Sequence, residues 1–360
     1  MRESLFDLPQ GNKLSLQSQI RELLVSAILG GQIPPEDRLP SSRQMARRLG
    51  VSRNTVVLAY QTLIDDGYLV ARERSGYYVN EKILAGHARR QTARTRKPDT
   101  GLDWSRRFRV LPAAQENIKK PANWQDYPYP FIYGQVDHTL FPIAEWRECS
   151  RQTLGKQWLD AWTSDFCDQD DPMLVEQIRT RLLPRRGIFA SEDEILVTLG
   201  AQNALYMLAS LLVSRDAVVV MEEPGYTDVR NIFRLRTDRL LAIPVDDQGL
   251  AADERLARAD IVFATPSHQF PTTVTMPPER RKALLDAANA YDFLVVEDDY
   301  EFETNYVSDP TPALKSSDAE GRVIYIGSLS KTLFPGLRMG YLVAPAPLIE
   351  QARALRRLMV

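Results

Sequence analysis

Cysteine and histidine are scarce in this chain. Its 360 residues include two cysteines, Cys149 and Cys167, and three histidines, His87, His138 and His268. Two isolated thiols without a Cys-x-x-Cys spacing exclude a disulfide framework and a cysteine zinc site. Three dispersed imidazoles give no metal-ligand cluster, so no metal is expected. Long apolar runs are lacking too. No stretch approaches the ~18 residues of a membrane span, and the opening MRESLFDLPQGNK has no apolar signal core. The expectation is a cytoplasmic protein in a reducing compartment, without a membrane partner. Apolar and charged shares of 44% and 26% are ordinary for a globular chain, and the length suits two or more domains.

Charge is distributed unevenly. Residues 1–110 hold 19 Lys and Arg against 11 Asp and Glu, while the remainder holds 26 against 36. A basic amino-terminal end suits contact with a polyanion. There, Leu16, Ile20, Leu23, Leu24, Ala27 and Ile28 recur at helical spacing. Ser41 and Ser42 then cap a short helix containing Met45, Ala46 and Leu49. Gly50 breaks the chain, and Ser52 caps a second helix that turns Val56, Ala59, Tyr60 and Leu63 inward. This is helix-turn-helix geometry, in which the second helix enters the major groove of double-stranded DNA. Arg53 and Asn54 are the expected base readers, because Arg pairs bidentately with guanine and Asn with adenine. Arg43, Arg47, Arg48, Ser52 and Thr55 are expected at phosphates. The run YLVARERSGYYV alternates and turns at Ser75-Gly76, a hairpin wing carrying Arg72 and Arg74.

This organisation gives a winged-helix domain over 1–81 and a basic linker over 82–125, with eight Lys and Arg between Arg89 and Arg109. A flexible tether and a second DNA-contacting strip both remain open readings of that linker. Order is expected to resume over 126–360. There the short apolar runs ILVTL, AVVVM, LLAIPV, DIVFA, FLVVE, VIYIGS and GYLVA alternate with helical stretches, the signature of an α/β layer architecture.

Two of these runs end in chemistry. FLVVEDDY carries Asp298 and Tyr300 at a strand end, where α/β folds place ligands. SLSKTLFPGLRMGYLV places Lys331 between Ser328 and Ser330 on one side and Arg338, seven residues on, at the other. A lysine nucleophile needs a desolvated or cationic setting, and an arginine fork suits a phosphate.

With 33 residues from Asp298 to Lys331, these motifs resemble those of the fold-type I pyridoxal-phosphate aminotransferases. With LPSSRQMARRLGVSRNTVVLAYQTLIDDGYL ahead of them, the chain resembles, nearly end to end, the MocR-type regulators of the GntR superfamily. The resemblance implies a winged helix-turn-helix (α+β) joined to an α/β three-layer domain of aspartate-aminotransferase-like architecture. It also implies pyridoxal 5'-phosphate as cofactor and a homodimer. By motif, Lys331 takes the place of the Schiff-base lysine, Asp298 that of the pyridine-nitrogen partner and Tyr300 that of the phenolic-oxygen partner. Tyr226 in EEPGY takes the place of the stacking aromatic. Gly200, Ala201 and Gln202 in TLGAQNAL, with Ser328, Ser330 and Arg338, take the places of phosphate ligands, consistent with anion binding at helix N-termini. TPSHQFPT resembles the loop beneath the cofactor.

Two residues depart from the family pattern, Thr273 where glycine is common and Val136 where proline is usual. The family's C-terminal subdomain, which supplies an arginine for substrate carboxylates, is expected to be missing after LIEQARALRRLMV, so no residue is assigned to that task. Three functions follow. The first, favoured by the domain order, is a DNA-binding transcription regulator sensing an amino acid or amine effector through aldimine exchange at Lys331. The others are an active aminotransferase with an attached DNA-binding domain, and a DNA-binding dimer with a catalytically silent scaffold.

Overall fold

The computed structural model describes residues 14–34, 37–72, 75–80, 103–132, 134–137, 139–164, 168–304 and 311–359. The chain divides into two compact units, Met1–Phe108 and Arg109–Val360.

In the first unit, helices α1 (Leu16–Leu29), α2 (Ser42–Leu49) and α3 (Arg53–Asp65) precede an antiparallel hairpin of β1 (Leu69–Arg72) and β2 (Gly76–Val79). Serine caps set the helix starts. The Ser15, Ser41 and Ser52 hydroxyls accept from the backbone N–H of Ser18, Gln44 and Thr55 at 3.2, 3.3 and 3.1 Å, satisfying donors that the helix cannot. At α2 the cap is Ser41 alone, with Gln44 completing a capping box, while Ser42 is buried one residue inside the helix. The core gathers Ile20, Leu24, Ile28, Met45, Val56, Ala59, Tyr60 and Leu63 with Leu69 and Val79 from the wing. Each fully buried Leu or Ile contributes about 1.5–3 kcal/mol. Leu16, expected on the buried face, is 49% exposed.

The second unit is built on an eight-stranded sheet in the order β3-β10-β9-β8-β7-β4-β5-β6. Its strands are β3 (Ile195–Thr198), β4 (Val219–Glu223), β5 (Leu240–Asp246), β6 (Gly249–Leu250), β7 (Ile261–Ala264), β8 (Leu294–Asp299), β9 (Val323–Ser328) and β10 (Gly340–Val343). Neighbours from β9 through β8, β7 and β4 to β5 are parallel, whereas β10 runs antiparallel to both β9 and β3. Strand interiors rich in Val, Ile and Phe are buried on both faces, as a helix-covered parallel sheet requires. Helices Ala201–Leu212 and Ala346–Arg357 close the core on one face. Among the described residues no helix is long and apolar enough to cross a membrane.

Register aligns one edge of this sheet. Asp298 pairs with Ile326 and Asp299 with Gly327, and Gly340 at the start of β10 lies across from both Ser328 and Thr198. The carboxyl ends of β3, β4, β7, β8 and β9 and the amino end of β10 therefore open on one rim, the place where α/β sheets bind ligands.

Candidate functional site

A cavity of about 510 Å3 lies at that rim, lined by Lys331, Asp298, Tyr300, Tyr226, Ala201, Gln202, Ser328, Ser330 and Arg338. That size is typical of a small-molecule site. Gly200 completes the constellation. At φ +85° it occupies backbone space that side-chain-bearing residues rarely enter, and a Cβ there would lie 3.0 Å from the Arg338 guanidinium. The ten residues assigned from sequence to the cofactor thus meet in one place.

Each wall has a local cause. Gly200 and Ala201 form the turn from β3 into helix Ala201–Leu212, which aims free backbone N–H groups at the cavity beside Arg338, a setting for an anion. Tyr226 follows β4. Its hydroxyl donates to Asp228 Oδ2 at 3.0 Å and accepts from Gln202 Nε2 at 3.0 Å, which holds the ring in place. The loop after β7 is tied down by Glu222, a buried carboxylate that accepts from the Thr265 N–H, the Thr265 hydroxyl and Gln269 Nε2 at 3.1, 2.6 and 3.1 Å. The same loop holds Thr273 at φ +65°. A β-branched residue is a backbone outlier there, which gives a steric reason for glycine being usual at this position.

Strand alternation separates the acids of β8. Asp298 lines the cavity, whereas Asp299 accepts from the fully buried Arg186, with Nε to Oδ2 at 2.6 Å and Nη2 to Oδ1 at 3.3 Å. Tyr325 also donates to Asp299 Oδ2 at 2.7 Å, and Arg186 Nη2 reaches Ser267 Oγ at 2.6 Å. Arg186 thereby joins the end of β8 to the loop after β7.

Asp298 Oδ1 is buried without a hydrogen-bond partner among the described residues. Burial, reinforced by the neighbouring charges of Asp299, Glu222 and Glu297, raises its pKa from the ordinary 3.8 to about 7. Lys331 Nζ lies 4.0 Å from Glu301 Oε1 and 5.7 Å from the centre of the Tyr300 ring. Burial lowers its proton affinity, with Lys120 adding to that effect against the opposing carboxylates of Glu301 and Asp298. A desolvated amine of this kind is a competent nucleophile.

These groups fit pyridoxal 5'-phosphate. The orphaned Asp298 oxygen matches a ring N–H, and the Gly200 turn with Arg338 matches a phosphate. Among the described residues no cluster of His, Cys, Asp and Glu has metal-site geometry.

A pH prediction follows from Asp298. An acid whose pKa is raised on folding binds its proton more tightly in the folded state, so stability is lost as pH rises from about 4 to about 7. Asp298→Asn should therefore flatten that decline in the cofactor-free protein and raise its thermal midpoint at pH 8 above wild type. Parallel curves of midpoint against pH would refute the assignment.

Sequence reading overlooked several lining residues, namely Ile118, Lys120, Gly134, Asp228 and Glu301. A Cβ on Gly134 would sit 2.8 Å from Lys331 Nζ, so that backbone covers the lysine. Asp228, two residues after Tyr226, Glu301, next to Tyr300, and Gly134, two residues before Val136, carried a signal in their adjacency to residues already singled out.

In the first unit Arg43, Arg48, Arg53, Asn54 and Arg72 are exposed as expected. Arg43, Arg47 and Arg53 border one shallow groove at the α2–α3 turn. Ser52 and Thr55 are engaged with each other, their hydroxyls 2.8 Å apart at the α3 N-terminus. The Arg72 guanidinium lies 4.6 Å from the centre of the Tyr78 ring, which fixes it on the wing. Arg74 lies outside the described residues, as do His87, His138, Cys167 and residues 82–102 of the basic linker.

Two family models match the chain. Residues 16–79 match bacterial regulatory proteins of the gntR family, and residues 169–360 match aminotransferase class I and II. The HTH-type transcriptional regulator TauR of Rhodobacter capsulatus is 45% identical over 98% of this chain and 72% of its own length. The probable rhizopine catabolism regulatory protein MocR of Rhizobium meliloti is 34% identical over 93% and 66%. The chain thus spans about two thirds to three quarters of these relatives. Among solved structures, kynurenine aminotransferase of Pyrococcus horikoshii superposes with a TM-score of 0.61 at 28% identity, covering 71% of this chain and 66% of that one. An archaeal alanine:glyoxylate aminotransferase gives 0.62 at 27%, covering 72% and 68%.

Proposed function

We infer function from kinship as the premise: the chain belongs to the MocR-type transcriptional regulators, in which a GntR-family helix-turn-helix domain is fused to a class I and II aminotransferase domain. We propose that it binds double-stranded DNA through its winged helix and that its second domain holds pyridoxal 5'-phosphate and senses an amino compound. The observation that carries this reading is the convergence of Lys331, Asp298, Tyr300, Tyr226 and Arg338 on one cavity in a chain that also presents Arg53 and Asn54 from an exposed helix start.

When bound, the cofactor supplies a carbonyl that primary amines attack and a ring that withdraws electrons. Lys331 would anchor it, Asp298 hold the ring nitrogen, Tyr226 stack on the ring, Tyr300 bond its phenolic oxygen, and Arg338 with the Gly200–Gln202 turn and Ser328 and Ser330 hold the phosphate. An incoming amine would compete with the Lys331 Nζ for the same position. Glu301, 4.0 Å from that Nζ, is placed to receive the displaced lysine as an ammonium. An equilibrium between two placements of one lysine can bias a protein between two states.

A homodimer is part of the proposal. The helix Ile143–Thr153 buries none of its residues, and Phe131, Tyr129 and Leu140 are 96%, 79% and 80% exposed. Apolar surface on this scale marks an interaction face, and a second copy of the chain would cover it.

The test is binding to the DNA upstream of the protein's own gene, with the cofactor present and amines varied. Amine-dependent affinity supports the proposal, whereas no binding in any state refutes it. Phosphate contact also makes the affinity steeply salt-dependent. Arg43→Ala and Arg48→Ala should each shallow the salt slope by roughly one unit, and Arg53→Ala should cost about 1–3 kcal/mol at its base pair. Filter binding between low and physiological salt measures both. A flat salt response in the wild type would count against phosphate contact.

A further inference from the structure

We propose that Arg38, in the connector between α1 and α2, is a further DNA-contacting residue, which joins Arg72 in taking backbone phosphates on the outer face of the wing. This rests on the reading above that the first unit binds double-stranded DNA, and it adds a contact that lies outside both the helix-turn-helix and the hairpin.

Strand alternation defines that face. Directly opposed residues of antiparallel strands point to the same side. Val70 opposes Tyr78 and Arg72 opposes Gly76 across the hairpin, so these four share one side, while Leu69 and Val79 are buried on the other. On its second edge β2 receives the connector. Arg38 forms an antiparallel bridge to Tyr78, and the Leu39 N–H donates to the Tyr77 carbonyl at 2.9 Å. Arg38 therefore stands on the same side as Tyr78 and Arg72, although it precedes α2 in sequence.

Glycine makes the arrangement possible. A Cβ on Gly76 would lie 3.0 Å from Arg38 Nε and 3.5 Å from its Nη2, so the guanidinium occupies space that another residue would fill. The backbone there, at φ +112°, also favours glycine. Tyr78 is fixed between its neighbours, its hydroxyl 2.6 Å from Ser75 Oγ and its ring centre 4.6 Å from the Arg72 guanidinium. Since Arg38 packs on Gly76, and Gly76 is the cross-strand partner of Arg72, two exposed arginines share one strip. Like charges side by side repel, and an anion between them offsets the repulsion. A planar guanidinium fork suits a phosphate.

The strip is continuous with the helix-turn-helix. Two residues after Arg38, the Pro40 carbonyl accepts from the Tyr60 hydroxyl of α3 at 2.9 Å, and Ser41 then caps α2 ahead of the exposed Arg43. One short connector, bonded to α3 on one side and to the wing on the other, thus carries Arg38. A duplex engaged by α3 is the polyanion at hand, and its backbone phosphates are what such a strip takes.

The experiment is ethylation interference and filter binding with the cofactor-loaded full chain, on the DNA upstream of its own gene and on a scrambled duplex of equal length. Arg38→Ala should lose sensitivity to ethylation at one phosphate, the same as or next to the one lost in Arg72→Ala. Its affinity should fall roughly tenfold on both duplexes at physiological salt, the scale of one charge-assisted hydrogen bond. Its salt slope should shallow by about one unit, and Arg38→Lys should restore the slope. An unchanged pattern and slope in Arg38→Ala would overturn the inference. A lowered urea midpoint with an unchanged interference pattern would make Arg38 a structural support and overturn it too, as would a loss confined to one base sequence. A wild type that binds neither duplex even at low salt would refute the DNA-binding reading itself, and the inference with it.

Discussion

Lys331→Ala is expected to abolish covalent uptake of pyridoxal 5'-phosphate, read as complete loss of the visible absorption band that the wild type acquires on reconstitution. The size of the effect follows from the chemistry, since no other group in the variant replaces an amine at that position. Lys331 is partly desolvated and stands beside Glu301 and Tyr300 under the Gly134 backbone. The only other lysine lining the cavity among the described residues is Lys120. A band that survives Lys331→Ala and disappears in the double variant with Lys120→Ala would move the anchoring role to Lys120. A band that survives both would refute lysine anchoring in this cavity. Phosphate and ring contacts from Arg338, the Gly200 turn and Tyr226 remain in Lys331→Ala, so weak noncovalent binding of the cofactor is expected to persist in equilibrium dialysis.

Arg186→Met is expected to produce the largest loss of stability of any single substitution near the site, about 3–5 kcal/mol, because it leaves the Asp299 carboxylate buried without its countercharge. The guanidinium is 1% exposed. Besides Asp299 and Ser267 it donates to the Thr311 carbonyl, and it lies 4.7 Å from the centre of the Phe302 ring. Removing it releases the end of β8 from the loop after β7. Urea unfolding should show a lowered midpoint, and cofactor affinity should fall as well, since Asp298 adjoins Asp299. Pairing the change with Asp299→Leu should recover much of the stability, because a buried ion pair exchanged for apolar groups costs little. Cofactor affinity should recover less. An unchanged midpoint in Arg186→Met would show that the buried pair is not what holds this rim.

These two residues mark what was legible in the sequence and what was not. Lys331 sits in a local motif, and the seven apolar runs read as strands all appear as β3, β4, β5, β7, β8, β9 and β10, because runs of Val, Ile and Phe suit a sheet buried on both sides. The helix-turn-helix was equally plain, since caps and 3.6-residue periodicity are local signals. The Arg186–Asp299 pair spans 113 residues, and the hydrogen bond from Gln115 Nε2 to the Asn231 carbonyl spans 116. No periodicity or spacing rule reaches so far in one sequence. The antiparallel direction of β10 was hidden for a related reason, because its apolar pattern is the same in either direction. The two-residue β6 is too short to carry a pattern. Thr273 was singled out as a departure, and its positive φ supplies the physical content of that remark.

The alternation along β8 also bears on how such a gene can change. Asp298 and Asp299 do opposite work on opposite faces of one strand, and their neighbours, Ile326 and Gly327 on β9, fix which face each occupies. Point substitutions within the apolar stretch Leu294–Val296 leave that assignment untouched. Loss or gain of a single codon in the same stretch would exchange the two carboxylates, turning the cavity acid toward Arg186 and the Arg186 partner toward the cavity. Descendants of this gene should therefore exchange the apolar side chains of β8 for others of similar volume, and hardly change the length of the strand at all.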